Sequence, residues 1–266
     1  MKSLIRSLVL LYLIGLGVYF VPPLHNWVWG AYQSVADYFD KRPVQTVLIF
    51  GNSRAYFNNM PVMVRDIADA ANSPVRYAIT TRMWPSATLA DHWNNADDQA
   101  LLKQHWDRII IQAESGAQSS EDARASFRDN GGKLIAAARA TQSPVALIIN
   151  WAYAAEFYSS APAGARDYHV EMFEDDHRNL ARATGASVID TCRAWEVVRR
   201  NAPEVKLYFD DNHPAVAGSF LSALMIYVFI SHATIAPDGY HPDGVDDAGN
   251  KAIRAAVREI SGGGES

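Results

Sequence analysis

Two short segments of the sequence carry the residue types needed for acyl transfer through a serine. The first is Gly51-Asn52-Ser53-Arg54, directly after the apolar run Thr46 to Phe50. A serine just past the carboxyl end of a strand, beside a glycine, can turn its hydroxyl toward the rim of a sheet and its N–H toward a bound carbonyl. The second is Tyr208-Phe209-Asp210-Asp211-Asn212-His213-Pro214, with Gly218 five residues after the histidine. An aspartate three residues before a histidine, on a turn closed by proline, can hold the imidazole by Nδ1 and leave Nε2 free to take a serine proton. Taken singly, each segment also has a plain structural reading, as turn chemistry or as a helix cap. Together, each at the carboxyl end of a strand, they point to Ser53 as nucleophile, His213 as proton carrier and Asp210 as its orienting carboxylate.

The rest of the chain alternates strand and helix patterns that could position these groups. Apolar, β-rich runs occur at Thr46 to Phe50, Val75 to Ile79, Arg108 to Ile111, Val145 to Ile149 and Ser187 to Ile189. Helical patterns fall between and after them: Pro61 to Ala71, around Asp97 to His105, Glu121 to Ala140, Arg166 to Thr184, Ala194 to Asn201, Pro214 to Ile230 and Val245 to Ile260. Short continuous apolar strands separated by helices predict a parallel sheet covered on both faces. The expected fold is therefore α/β, a three-layer α/β/α sandwich with a five-stranded parallel, flavodoxin-like sheet. Sites in such sheets form beyond the carboxyl ends of the strands. The segment Pro214 to Ile230 is apolar enough to suggest a membrane span. Its serines, Ser219 and Ser222, and its charged approach favour a buried core helix.

At the N-terminus, Lys2 and Arg6 precede an apolar stretch from Leu8 to Val21 that ends at Pro22-Pro23. Trp27, Trp29 and Tyr32 extend it as an interfacial belt, and no small-x-small cleavage site follows. Residues 1–30 are expected to form an uncleaved membrane anchor helix, 31–43 a tether and 44–262 the catalytic domain. Positive-inside reasoning puts that domain on the periplasmic or other extracytoplasmic side. The 266 residues carry a net charge of -5 with no long basic run, which argues against nucleic acid as a partner. The single cysteine, Cys192, rules out an internal disulfide. His25, His92, His105, His169, His177 and His232 show no spacing that argues for a metal site.

Gly51-Asn52-Ser53 near the start of the domain and Asp210-x-x-His213-Pro214 with Gly218 near its end resemble the first and last blocks of the SGNH/GDSL hydrolases. The resemblance spans roughly Val44 to Ile260. It is closest to a branch whose middle segment reads Gly-Gly-Ala-Thr-Leu-x-x-His-Trp and whose third strand ends in Gln-x-Gln-Ser. This chain has Pro85-Ser86-Ala87-Thr88-Leu89 with His92-Trp93, and Ile111-Gln112-Ala113-Glu114-Ser115. The resemblance implies an oxyanion hole built from the Ser53 N–H, the Ser86 N–H and a side chain at Gln112 or Glu114. Ser86 stands where the branch has glycine, and Glu114 where it has an amide. An ionised Glu114 would repel the oxyanion, so it must be protonated, turned away or replaced by Gln112. Asp238-Gly-Tyr-His241-Pro242 also fits Asp-x-x-His-Pro, but its next suitable glycine, Gly249, lies too far along for the family spacing.

The resemblance implies ester hydrolysis through an acyl-serine, with no cofactor and no metal. The expected substrate is a small acyl ester or acylated carbohydrate, such as an O-acetyl group on a cell-envelope or secreted polysaccharide. A polysaccharide O-acetyltransferase using the same triad is one alternative, and a non-catalytic carbohydrate-binding protein on a degenerate scaffold is another. Asn52, His92 and Trp151 are expected to border the substrate. Trp84, Tyr153, Phe157 and Tyr158 also sit near strand ends, where sugar stacking and core or lid packing are both open to them.

Overall fold

The computed structural model describes residues 40–233 and 237–262, so the expected anchor and most of the tether lie outside the described residues. Five strands form one parallel sheet: β1 (Val44–Gly51), β2 (Arg76–Met83), β3 (Arg108–Gln112), β4 (Val145–Ile148) and β5 (Ser187–Ile189). Their order is β2-β1-β3-β4-β5, so the chain reverses direction across the sheet between β1 and β3. That reversal leaves a crevice at the carboxyl end of β1.

Alternation along the strands builds the layers. Val47 and Ile49 of β1, Ile110 of β3, Ala146 and Ile148 of β4 and Ile189 of β5 join one buried cluster. With them pack α2 (Met60–Ala70), α7 (Thr191–Asn201), α8 (Val216–Ser231) and α9 (Asp247–Gly262). Leu48, Phe50, Ile109, Ile111, Val145 and Leu147 point the other way. They meet α3 (Leu89–Asn94), α4 (Ala96–Leu102), α5 (Glu121–Ala140) and α6 (Ala165–Thr184). A sheet buried on both faces needs apolar residues at consecutive positions, which is why its strands read as unbroken runs.

The local signals agree with this arrangement. Ser120 caps α5 by accepting from the Ala123 N–H, and Glu121 and Asp122 occupy the first turn. Gly185 ends α6 in the left-handed region, with φ 72. Several elements depart from the sequence expectation, β2 and α3 among them. β2 continues through Thr80, Thr81 and Arg82 to pair with β1 along its full length, because the Arg82 head group is taken up by Asp98 and Asn95. Helix α3 was not anticipated: it is short, and a reciprocal capping box between Thr88 and Asp91 starts it.

Helix α8 is a core helix, packed against α2, α7 and α9, which explains why it is apolar all round. Among the described residues, no helix is long and apolar enough to cross a membrane. Gly218, in the first turn of α8, lies directly against the buried Trp195 ring and the Leu207 carbonyl, and a Cβ there would collide with both. The glycine after the histidine is thus a packing requirement of the turn that carries His213. Gly218→Ala should lower unfolding free energy by about 2 kcal/mol or more. Urea denaturation checks this, and an unchanged midpoint would show that the turn relaxes freely.

Candidate active site

The turn that carries Ser53 is built around a buried amide. Asn52, 3% exposed, is the N-cap of α1 (Ser53–Tyr56), and its Oδ1 accepts from the Arg54 N–H at 3.2 Å. Its Nδ2 donates to the Ala113 carbonyl at 3.0 Å and more weakly to the Ala87 carbonyl at 3.4 Å. Ala87 follows β2 and Ala113 follows β3, so one side chain ties the loops on both sides of β1. Asn150, after β4, also donates to the Ala113 carbonyl, at 2.7 Å. Gly51 permits the close approach: a Cβ there would sit 3.0 Å from the Ala55 Cβ and 3.4 Å from Gln112 Oε1.

Ser53 begins α1 at this rim, and its Oγ lies 3.0 Å from His213 Nε2. His213 Nδ1 lies 2.8 Å from Asp210 Oδ2. Asp210 Oδ1 accepts the N–H groups of His213 at 2.6 Å and Asn212 at 2.8 Å. Burial pushes the Asp210 carboxyl upward, but these N–H donors and the imidazole outweigh it and hold it below the usual carboxylate range. The turn is closed by Phe209 N–H to the His213 carbonyl and Ala215 N–H to the Leu207 carbonyl, both 2.9 Å. Phe57 stacks on the imidazole at 4.4 Å between ring centroids, 12° from parallel. The alternative histidine, His241, makes no hydrogen bond to Ser53, and the exposed Asp238 lies 3.9 Å from Arg254.

Asn52, His92 and Trp151 are placed behind the rim, where their burial leaves no surface for a substrate. Asn52 spends its amide on carbonyls, as above. His92 sits fully buried between Asp98 Oδ2, 2.7 Å from Nδ1, and the Gly51 carbonyl, 3.1 Å from Nε2. Asp98 is paired in turn with Arg82, so a buried polar chain braces the end of β1. Trp151 stacks on Trp195 at 4.1 Å and donates Nε1–H to the Asn212 carbonyl at 3.2 Å. It supports the histidine turn from below.

Of the expected oxyanion-hole residues, Ser86 is exposed in the loop after β2, with φ 57. That left-handed backbone explains why glycine suits this position. Gln112 ends β3 with 1% exposure, and Glu114 is half-buried two residues later. Among the aromatic residues at strand ends, Tyr153 and Phe157 stack on each other at 4.2 Å, and Tyr158 bonds His169 Nδ1 at 2.7 Å. Phe157 and Phe209 present exposed faces. Among the described residues, no three His, Cys, Asp or Glu side chains are grouped so as to hold a metal.

Arg54 is the site residue that sequence reading passed over. It is 2% exposed, donates Nε–H to Asn212 Oδ1 at 2.8 Å and donates from Nη1 to the Trp151 carbonyl at 2.6 Å. An arginine beside a turn serine usually faces solvent, and nothing in the local pattern marks this one as buried.

No protein-family model matches the sequence, and no curated protein matches it. Solved structures do share its architecture. A DUF4886 family protein from Bacteroides uniformis is 17% identical, with TM-score 0.67 over 82% of this chain and 94% of that one. A protein from Slackia heliotrinireducens assigned as an SGNH hydrolase is 23% identical, with TM-score 0.59 over 69% and 97%. The acetylxylan esterase Axe2 from Geobacillus stearothermophilus is 14% identical, with TM-score 0.56 over 71% and 95%. At these identities the likeness is one of fold: the chain has the α/β/α architecture shared by SGNH hydrolases and acetylxylan esterases of known structure.

Proposed function

We propose that this chain is a serine ester hydrolase that removes O-acetyl or similar small acyl groups from carbohydrate through an acyl-serine intermediate. The observation that carries the reading is the continuous hydrogen-bonded line Ser53 Oγ to His213 Nε2 to Asp210, with separations of 3.0 and 2.8 Å. A non-catalytic binding scaffold has no need of that line. The resemblance of the sequence blocks and the fold shared with acetylxylan esterases support the choice of acyl group.

In this mechanism Ser53 Oγ attacks the ester carbonyl as its proton passes to His213 Nε2, and Asp210 stabilises the imidazolium. The Ser53 and Ser86 N–H groups stabilise the oxyanion. As the tetrahedral species collapses, the C–O bond to the alcohol breaks and Nε2–H protonates the departing oxygen. Water then attacks the acyl-serine, gives its proton to His213, and the acid leaves as Ser53 regains its hydrogen. On this reading the N-terminal apolar segment holds the domain outside the cytoplasm, where acylated envelope or secreted carbohydrate is at hand.

Hydrolysis of p-nitrophenyl acetate by the chain tests this. Ser53→Ala and His213→Ala should each cut kcat/KM by roughly 10³-fold or more. An inactive wild type, or an equally active Ser53→Ala, would overturn the proposal.

Glu114 bears on the oxyanion chemistry. Burial pushes its carboxyl above the usual 4.5, only partly offset by the N–H groups of Glu114 itself and of Leu89 at the start of α3. The folded state therefore holds this proton more tightly than the unfolded chain, and the associated stability is lost as pH rises through the folded titration. Glu114→Gln should unfold at a higher temperature than wild type at about pH 7, and the two should converge near about pH 4. Calorimetry at both pH values checks this. A variant no more stable than wild type at neutral pH would mean that the ionised carboxylate is satisfied where it lies.

A further inference from the structure

We infer that Arg54 is a positioning residue of this site, its guanidinium locking the Asp210–His213 turn to the helix that begins at Ser53. The role assigned to the turn rests on the hydrolase reading; the lock itself rests on contacts.

Arg54 follows the nucleophile directly, yet its side chain is buried rather than turned to solvent. Among the described residues, none of its hydrogen-bond partners is a carboxylate: Nε serves Asn212 Oδ1, Nη1 serves the Trp151 carbonyl, and Nη2 has no partner. The faces of Trp151 and Tyr153 lie 4.9 and 5.2 Å from the guanidinium carbon. Burying a cation without a counter-charge is costly, and here it pulls the guanidinium pKa down to about 10, still charged at neutral pH.

The geometry shows what that cost secures. Trp151 lies in the loop after β4, and Asn212 lies between the two triad members of the turn. The Asn212 N–H is one of the two backbone donors that fix Asp210 Oδ1. A line therefore runs from Ser53 through Arg54 to Asn212, and from there to Asp210 and His213. A planar fork with donors at fixed angles can hold a side-chain oxygen and a backbone carbonyl from two loops at once. A lysine ammonium is a point charge and cannot reproduce that spacing. Such a lock matters because proton transfer from Ser53 depends on the separation from Nε2.

The test compares Asn212→Ala, Arg54→Lys and the double variant in the full chain by hydrogen exchange and by p-nitrophenyl acetate kinetics. Asn212 is partly exposed but accepts from the buried Arg54 Nε–H, so Asn212→Ala should lower the melting temperature by several degrees while the chain stays folded. It should speed exchange of the Asn212 and His213 amides ~10-fold and lower kcat ~10-fold, with KM within about twofold. Arg54→Lys should show the same kcat loss, and the double variant should be no worse than Arg54→Lys alone, because both act through one contact. Unchanged exchange in Asn212→Ala, or losses that multiply in the double variant, would overturn the inference. Should Arg54→Lys fail to fold, Asn212→Ala alone decides. If the wild type hydrolyses nothing, the hydrolase reading fails and the exchange rates still judge the lock.

Discussion

A serine hydroxyl and an imidazole that lie 160 positions apart in the chain must be held within a hydrogen bond of each other. Rim loops are mobile by default, since their backbone groups can always turn to water instead. The order β2-β1-β3 makes the problem soluble by bringing three loop starts to one crevice. The Asn52 amide then fixes the loops after β2 and β3 to the Ser53 turn. The rest of the site depends on this buried set of side-chain-to-carbonyl bonds.

Those bonds succeed because they are buried. In a low-dielectric interior an amide that loses its partner has no water to replace it, so each strut is held to one geometry. The same logic covers His92 between Asp98 and the Gly51 carbonyl, and Trp151 under the Asn212 carbonyl. Burial thus converts side chains that could have faced substrate into supports, and leaves the chemistry to the few groups that reach the rim. Asp210 and His213 keep partial exposure at the rim, as the proposed proton transfer would require.

Beneath the rim, the two apolar layers supply a stiff platform. Interiors packed at crystal-like density resist sliding, so the carboxyl ends of the strands stay in register. Helix α8 is the clearest case. It starts just after the histidine turn, and its entry is fixed by Gly218 against Trp195, the ring on which Trp151 stacks. Core packing and turn geometry are therefore continuous from the middle of the domain to His213.

The alternating apolar runs determined the parallel sheet, the helices between its strands and the end of the sheet at which to look, because burial on both faces demands that pattern. The spacing Asp-x-x-His-Pro with its glycine determined the local geometry of the Asp210–His213 turn, since an aspartate can reach its own neighbouring N–H groups without tertiary help. Short elements such as α1 and α3 escaped because side-chain caps, not periodicity, create them. Tertiary structure alone decided which polar residues are buried: Asn52, His92 and Arg54 have the composition of surface or pocket groups, and their roles follow from loops that meet only after folding. Glycine spacing already favoured His213 over His241, and the fold adds that His213 is the one standing opposite Ser53.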